Sequence, residues 1–171
     1  MKKTLFACAA LAGLLAFTPV QPSRAQNADA LVSHESMKPE VALDLARSAL
    51  KICQEAGYQV AVAVVDRAGL TQVLLRDRFA GAHTIDTATR KAWTAMSFRT
   101  ATLDLSTLAR TDPVMAHLPD VTNALALGGG IPVLAAGNLI GAIGISGAPG
   151  ADLDHSCAQK AIETIQDFLD F

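Results

Sequence analysis

Aromatic residues are scarce: one Trp, one Tyr and six Phe among 171 residues. With few rings for bases to stack on, and no run of Lys or Arg, the chain lacks the footprint of a nucleic-acid binder. Cysteine is scarce too, with only Cys8, Cys53 and Cys157. None falls in a C-x-x-C pair, which excludes a thioredoxin-like redox centre and a zinc ribbon. G-x-S-x-G and H-E-x-x-H are also missing, so neither a hydrolase nucleophile elbow nor a zincin helix is present. The four histidines, His34, His83, His117 and His155, are scattered, and no two have metal-motif spacing.

The start of the chain is distinctive. Met1-Lys2-Lys3 is basic, the stretch from Leu5 to Val20 carries no charge, and Ser23-Arg24-Ala25 supplies small residues before Gln26. This order predicts a secretory signal peptide over residues 1–25, and hence a periplasmic or secreted protein. The apolar run is short for a membrane span, and no later stretch offers one. Removing residues 1–25 leaves 11 basic and 16 acidic residues, a formal charge of −5. Residues 26–38 read as a polar arm with one apolar patch at residues 30–32, and residues 39–171 as a single domain. Cys53 and Cys157 remain after cleavage, in an oxidising setting. Both fall on predicted helices, so a disulfide and two buried thiols are both open readings.

Eleven of the twelve glycines punctuate the rest. The densest stretch, Leu127-Gly-Gly-Gly-Ile-Pro132 through to Gly147, reads as a glycine loop, a strand, a turn at Ala136-Gly137-Asn138 and a second strand. It is not a phosphate loop, because no G-x-G-x-x-G is present and Ile131-Pro132 follows the triplet. Both strands are apolar on both faces, which places them inside a covered sheet. Pro39 opens a helix whose stripe is Val41, Leu45, Ala49, Ile52 and Ala56, and Gly57 ends it. Residues 58–66 form the clearest strand, with Val60, Val62 and Val64 on one face and the smaller Ala61, Ala63 and Val65 on the other. Residues 70–76 return from a turn. Thr84 reads as an N-cap of a helix to about residue 98, with Asp86 in its first turn. A short helix over residues 103–109, a strand over residues 121–127 and a last amphipathic helix from Asp152 through Ala158, Ile162, Ile165 and Leu169 complete the pattern. The order is α-β-β-α-α-β-β-β-α: an α+β domain with an antiparallel five-stranded sheet covered by helices.

Several segments together resemble the GlcG/HbpS family. They are Val60-Ala-Val-Ala-Val-Val-Asp66, Ala80-Gly-Ala-His-Thr-Ile-Asp-Thr-Ala88, Arg90-Lys-Ala-Trp-Thr-Ala-Met-Ser-Phe98, Leu127-Gly-Gly-Gly-Ile-Pro132, Ile140-Gly-Ala-Ile-Gly-Ile-Ser-Gly147 and Asp154-His-Ser-Cys-Ala158. The resemblance spans about residues 39–168. It implies a profilin-like α+β fold, homo-oligomers and, in secreted members, haem binding. Haem needs an apolar slot, an iron ligand and groups for two propionates. On that implication His83 is the first candidate axial ligand and metal site. His34, on an arm able to swing over a site or onto a neighbouring subunit, is the second. Phe79, Trp93 and Met96 supply apolar neighbours, and Arg76, Arg78 and Arg90 supply guanidinium forks for carboxylates. His117, Met115 and His155 are the fallback ligands. The alternative is an enzyme or binding module for a small catabolic metabolite, without haem. Asp152 and Asp154 read as N-terminal helix charges rather than an acid/base pair.

Overall fold

The computed structural model describes residues 31–169, so the expected signal peptide and residues 26–30 of the arm lie outside the described residues. The described residues from His34 onward form one compact unit, and Leu31, Val32 and Ser33 before it are exposed. Among the described residues no helix is long and apolar enough to cross a membrane.

The elements run α1 (Pro39–Glu55), β1 (Ala61–Asp66), β2 (Thr71–Arg76), α2 (Thr84–Phe98), α3 (Thr102–Thr111), β3 (Gly130–Ala135), β4 (Asn138–Ser146) and α4 (Ala151–Glu163), with short helical turns at Leu118–Asp120 and Gln166–Phe168. The strands make one antiparallel sheet in the order β2-β1-β4-β3. The two faces follow the alternation of β1. Val60, Val62 and Val64 pack with Leu45, Ala49 and Ala161 of α1 and α4, while Ala61, Ala63 and Val65 pack with Ala88, Ala92 and Ala95 of α2. Small side chains on both partners bring α2 onto the sheet. At Gly144 no Cβ fits, because it would strike the Ala88 carbonyl and Ala92.

The α+β class and antiparallel sheet are as expected, but among the described residues the sheet has four strands, not five. Residues 121–127 are not a strand. Their backbone groups are taken by side chains of α2: Leu125 N–H donates to Thr94 Oγ1 at 2.8 Å, and Arg90 Nη2 donates to the Ala124 carbonyl at 3.0 Å. Asn123 has φ +68°, which breaks an extended run. The α2 cap also moves by one residue. His83 is the N-cap, and Thr84 is the first helical residue, its hydroxyl donating to the Gly81 carbonyl. The last helix stops at Glu163. The β3–β4 turn falls where expected, but Ala136 (φ 45°) and Gly137 (φ 81°) take the positive φ values, and Asn138 already belongs to β4.

The question over the cysteines resolves as a disulfide. Cys53 of α1 and Cys157 of α4 are bonded, with Cα atoms 5.7 Å apart. The bond ties together the two helices that cover one face of the sheet.

Candidate functional site

At the end of the sheet where β1 begins and β4 ends, the N-termini of α2 and α4 face each other across a cleft of about 610 Å³. His83 and Phe79 stand exposed at its rim, and Phe79 is 77% accessible. Its floor is polar and buried, formed by Lys91, Ser146 and Asp154.

Lys91 reaches the floor because of helical spacing. It lies three residues after Ala88 and four before Ala95, on the face α2 turns to the sheet. Its side chain is 1% exposed. Nζ donates to the Ile145 carbonyl at 2.9 Å and to Asp154 Oδ2 at 2.8 Å. Asp154, in the first turn of α4, accepts the Ala148 N–H on Oδ1 at 2.9 Å. Burial pushes Lys91 below the ordinary lysine value and Asp154 above the ordinary carboxylate value, and the attraction between them opposes both shifts. The glycine triplet makes room for this pair. Gly129 adopts φ +120°, and a Cβ there would sit 3.0 Å from Lys91 Nζ and 2.6 Å from the Ile145 carbonyl oxygen. Thr102 holds the neighbouring strand start, its Oγ1 accepting the Gly130 N–H at 2.8 Å.

The imidazole of His83 has no hydrogen-bond partner for either ring nitrogen among the described residues. It lies over the backbone of Gly81, where an added Cβ would meet Cε1 at 2.8 Å and Nδ1 at 2.9 Å. Arg78 stacks on Phe79, its guanidinium carbon 5.6 Å from the ring centroid. Arg76 donates to the Ala80 carbonyl at 2.8 Å and so braces the loop that carries His83. Among the described residues no three His, Cys, Asp or Glu converge as a metal site.

The other predicted site residues lie elsewhere. Arg90 pins the loop over residues 121–127 and faces Asp86 at 3.7 Å. Trp93 packs with Leu105, Leu118 and Ala124, and Met96 is buried in the alanine layer. His34 is exposed before α1, next to a stretch whose Met37 N–H meets the Ile140 carbonyl near the start of β4. Six residues of strand separate Ile140 from Ser146 at the cleft, roughly 20 Å at the rise of a strand. His34 is not among the residues that line the cleft at His83. Of the fallback ligands, His117 faces Asp120 at 2.9 Å and Met115 packs under α3. His155 Nδ1 is buried without a partner; burial lowers its pKa, against the pull of Asp104.

The sequence reading missed Lys91 and took Asp154 for a helix charge alone. One signal was present: a lysine in register with the alanine stripe of α2 has to be buried, and a buried ammonium needs an anion.

Among the described residues, a four-stranded antiparallel sheet with helices on both faces and a half-polar cleft at one sheet end define an α+β domain with one candidate ligand site. The family model described as haem degrading protein HbpS-like matches residues 37–163, and the chain belongs to that family. A double mutant of HbpS from Streptomyces reticuli superposes with TM-score 0.74 at 34% identity, covering 92% of this chain and 99% of that one. A PduOC–haem complex superposes with TM-score 0.68 at 31% identity, covering 76% of this chain and 95% of that one. The corrinoid adenosyltransferase PduO of Salmonella typhimurium is 34% identical over 125 residues, which is 71% of this chain and 36% of that protein. The chain thus spans about a third of the length of that curated relative.

Proposed function

We propose that the protein binds haem in the cleft between the N-termini of α2 and α4, with His83 as axial ligand, and serves haem carriage, buffering or sensing outside the cytoplasm. The observation that carries this reading is the exposed, unpartnered His83 imidazole at the rim of a 610 Å³ cleft, beside the exposed face of Phe79. These residues fit the group. Haem asks for one ligand nitrogen, an apolar surface for the ring and cations near its propionates. The cleft has the imidazole, Phe79 and, in its floor, Lys91, and Arg78 stacks on Phe79 without lining the cleft itself. Bound there, haem would supply the iron chemistry, while the chain supplies the ligand, the slot and the charges. The family match and the haem complex of the PduOC relative support the same reading.

His83→Ala should weaken haemin binding at least tenfold and change the Soret and charge-transfer bands, while His34→Ala keeps the wild-type values. Gly81→Ala is the companion test. Its Cβ displaces the imidazole, so it should weaken binding with little change in Tm, because the ring is exposed and free to swing. If His83→Ala and His34→Ala both retain the wild-type spectrum and affinity, the ligand assignment is wrong, and His117, Met115 and His155 are next.

Export and self-association belong to the same proposal. The order of residues 1–25 supports export, and exposed apolar side chains such as Val32, Val114 and Phe168 support a homo-oligomer. N-terminal sequencing of exported material should begin at Gln26, and light scattering should give a multiple of the mature mass. An intact Met1 or a monomer at micromolar concentration would contradict these two points.

A second reading keeps the cleft and replaces haem with a small catabolic metabolite. The polar floor built around Lys91 and Asp154 favours it, and the relation to the corrinoid adenosyltransferase PduO points to metabolism.

A further inference from the structure

The floor of the cleft holds more hydrogen-bond donors than the protein uses. Lys91 has three N–H bonds and spends two, on the Ile145 carbonyl and Asp154 Oδ2. The hydroxyl of Ser146, a residue 4% exposed, lines the cleft without a hydrogen-bond partner among the described residues. The N-terminus of α4 opens into the same space through Gly150 and Ala151. Gly150 offers no side-chain cap, and the N–H groups of Ala151 and Asp152 have no acceptor among the described residues. Among the described residues the anion in the floor is Asp154, already engaged on both oxygens, by Lys91 and by the Ala148 N–H. Asp152 is exposed to solvent, with Oδ1 against the backbone of Gly150 beside the α4 N-terminus.

We infer that this floor is a carboxylate subsite, in which the remaining Lys91 N–H, the Ser146 hydroxyl and the first amides of α4 receive a carboxylate of the ligand. A helix N-terminus favours an anion through its dipole and its free N–H groups. The hydroxyl of Ser146, a residue 4% exposed that lines the cleft, and the spare ammonium N–H turn that general preference into a built site. The inference rests on the haem reading for its main ligand and goes further by orienting it: a haem propionate enters the floor rather than pairing with Arg78 over the Phe79 ring. The same donors would take the carboxylate of a small metabolite.

The test compares haemin with haemin dimethyl ester, whose propionates are capped, on wild type, Ser146→Ala and Arg78→Ala, with Tm as a check on folding. Wild type should bind the ester at least tenfold more weakly than haemin. Ser146→Ala should narrow that gap, chiefly by weakening haemin, and Arg78→Ala should leave it in place. Equal affinities for the two porphyrins in wild type would overturn the inference and leave haem binding standing. So would a gap that closes in Arg78→Ala but not in Ser146→Ala. If neither porphyrin binds, the haem reading fails and succinate decides the subsite. A rise in wild-type Tm that saturates with succinate and is absent in Ser146→Ala supports it, and no rise overturns it.

Discussion

Lys91→Met should cost roughly 3–5 kcal/mol of folding stability, and Asp154→Leu a similar amount, yet the double variant should fold about as well as wild type or better. The asymmetry follows from burial. Lys91 is 1% exposed and Asp154 3% exposed, so removing either leaves the other charged and unpaired away from water. Removing both takes away two desolvation penalties and leaves apolar groups of similar volume next to the alanine layer of α2. The pH dependence has a definite sign. Burial holds Asp154 above the ordinary value of 3.8 and Lys91 below the ordinary value of 10.5. A carboxylate with a raised folded pKa contributes stability while protonated and loses it as pH rises through that folded value. An ammonium with a lowered folded pKa contributes stability while neutral and loses it as pH falls through its folded value. Between the two values both groups are charged and neither contribution is present. The advantage of the double variant over wild type should therefore be greatest near neutral pH and shrink toward either extreme. Urea unfolding of the four proteins across pH gives the cycle. Single variants within about 1 kcal/mol of wild type would show that the pair is not buried as described.

Loss of the disulfide is the second large effect. The bond between Cys53 and Cys157 spans a sequence separation of 104. In the chain-entropy model a loop of about that length is worth roughly 4.7 kcal/mol, and measured losses of native disulfides run about 2–5 kcal/mol. Both cysteines are buried between α1 and α4, beside Ala49 and Ala158. Cys53→Ser should then lower stability by about 2–5 kcal/mol, and Cys53→Ala/Cys157→Ala by somewhat less, since it adds no buried hydroxyl. Thiol titration of unfolded wild-type protein should find no free thiol from these two residues. Two reactive thiols, together with a Cys53→Ala midpoint equal to wild type, would contradict the bond. A disulfide closing the fold suits the oxidising compartment that the first 25 residues suggest.

Local pattern made part of this fold legible in advance. The alternation of large and small residues along β1 told which face would take the close-packed helix, because side chains of a strand alternate and only small ones admit a backbone so near. The glycine-rich hairpin was readable for the same reason. Residues 121–127 were not, since their apolar run looks like a strand and only Arg90 and Thr94, some 30 residues earlier, claim its backbone groups. The site divided along the same line. Phe79 and His83 share one loop and arrive at the cleft together. Trp93 and Met96, grouped with them by proximity in sequence, sit about 15–20 Å further along a helix axis. Lys91 and Asp154 are 63 residues apart, and no local pattern joins them.

The central claim is that the cleft is a specific haem site, and a haemin titration of the mature wild-type protein tests it most directly. The account predicts a Soret shift that saturates at one haem per chain. A linear, unsaturated rise in absorbance, like that of haemin on an unrelated apolar surface, would contradict it.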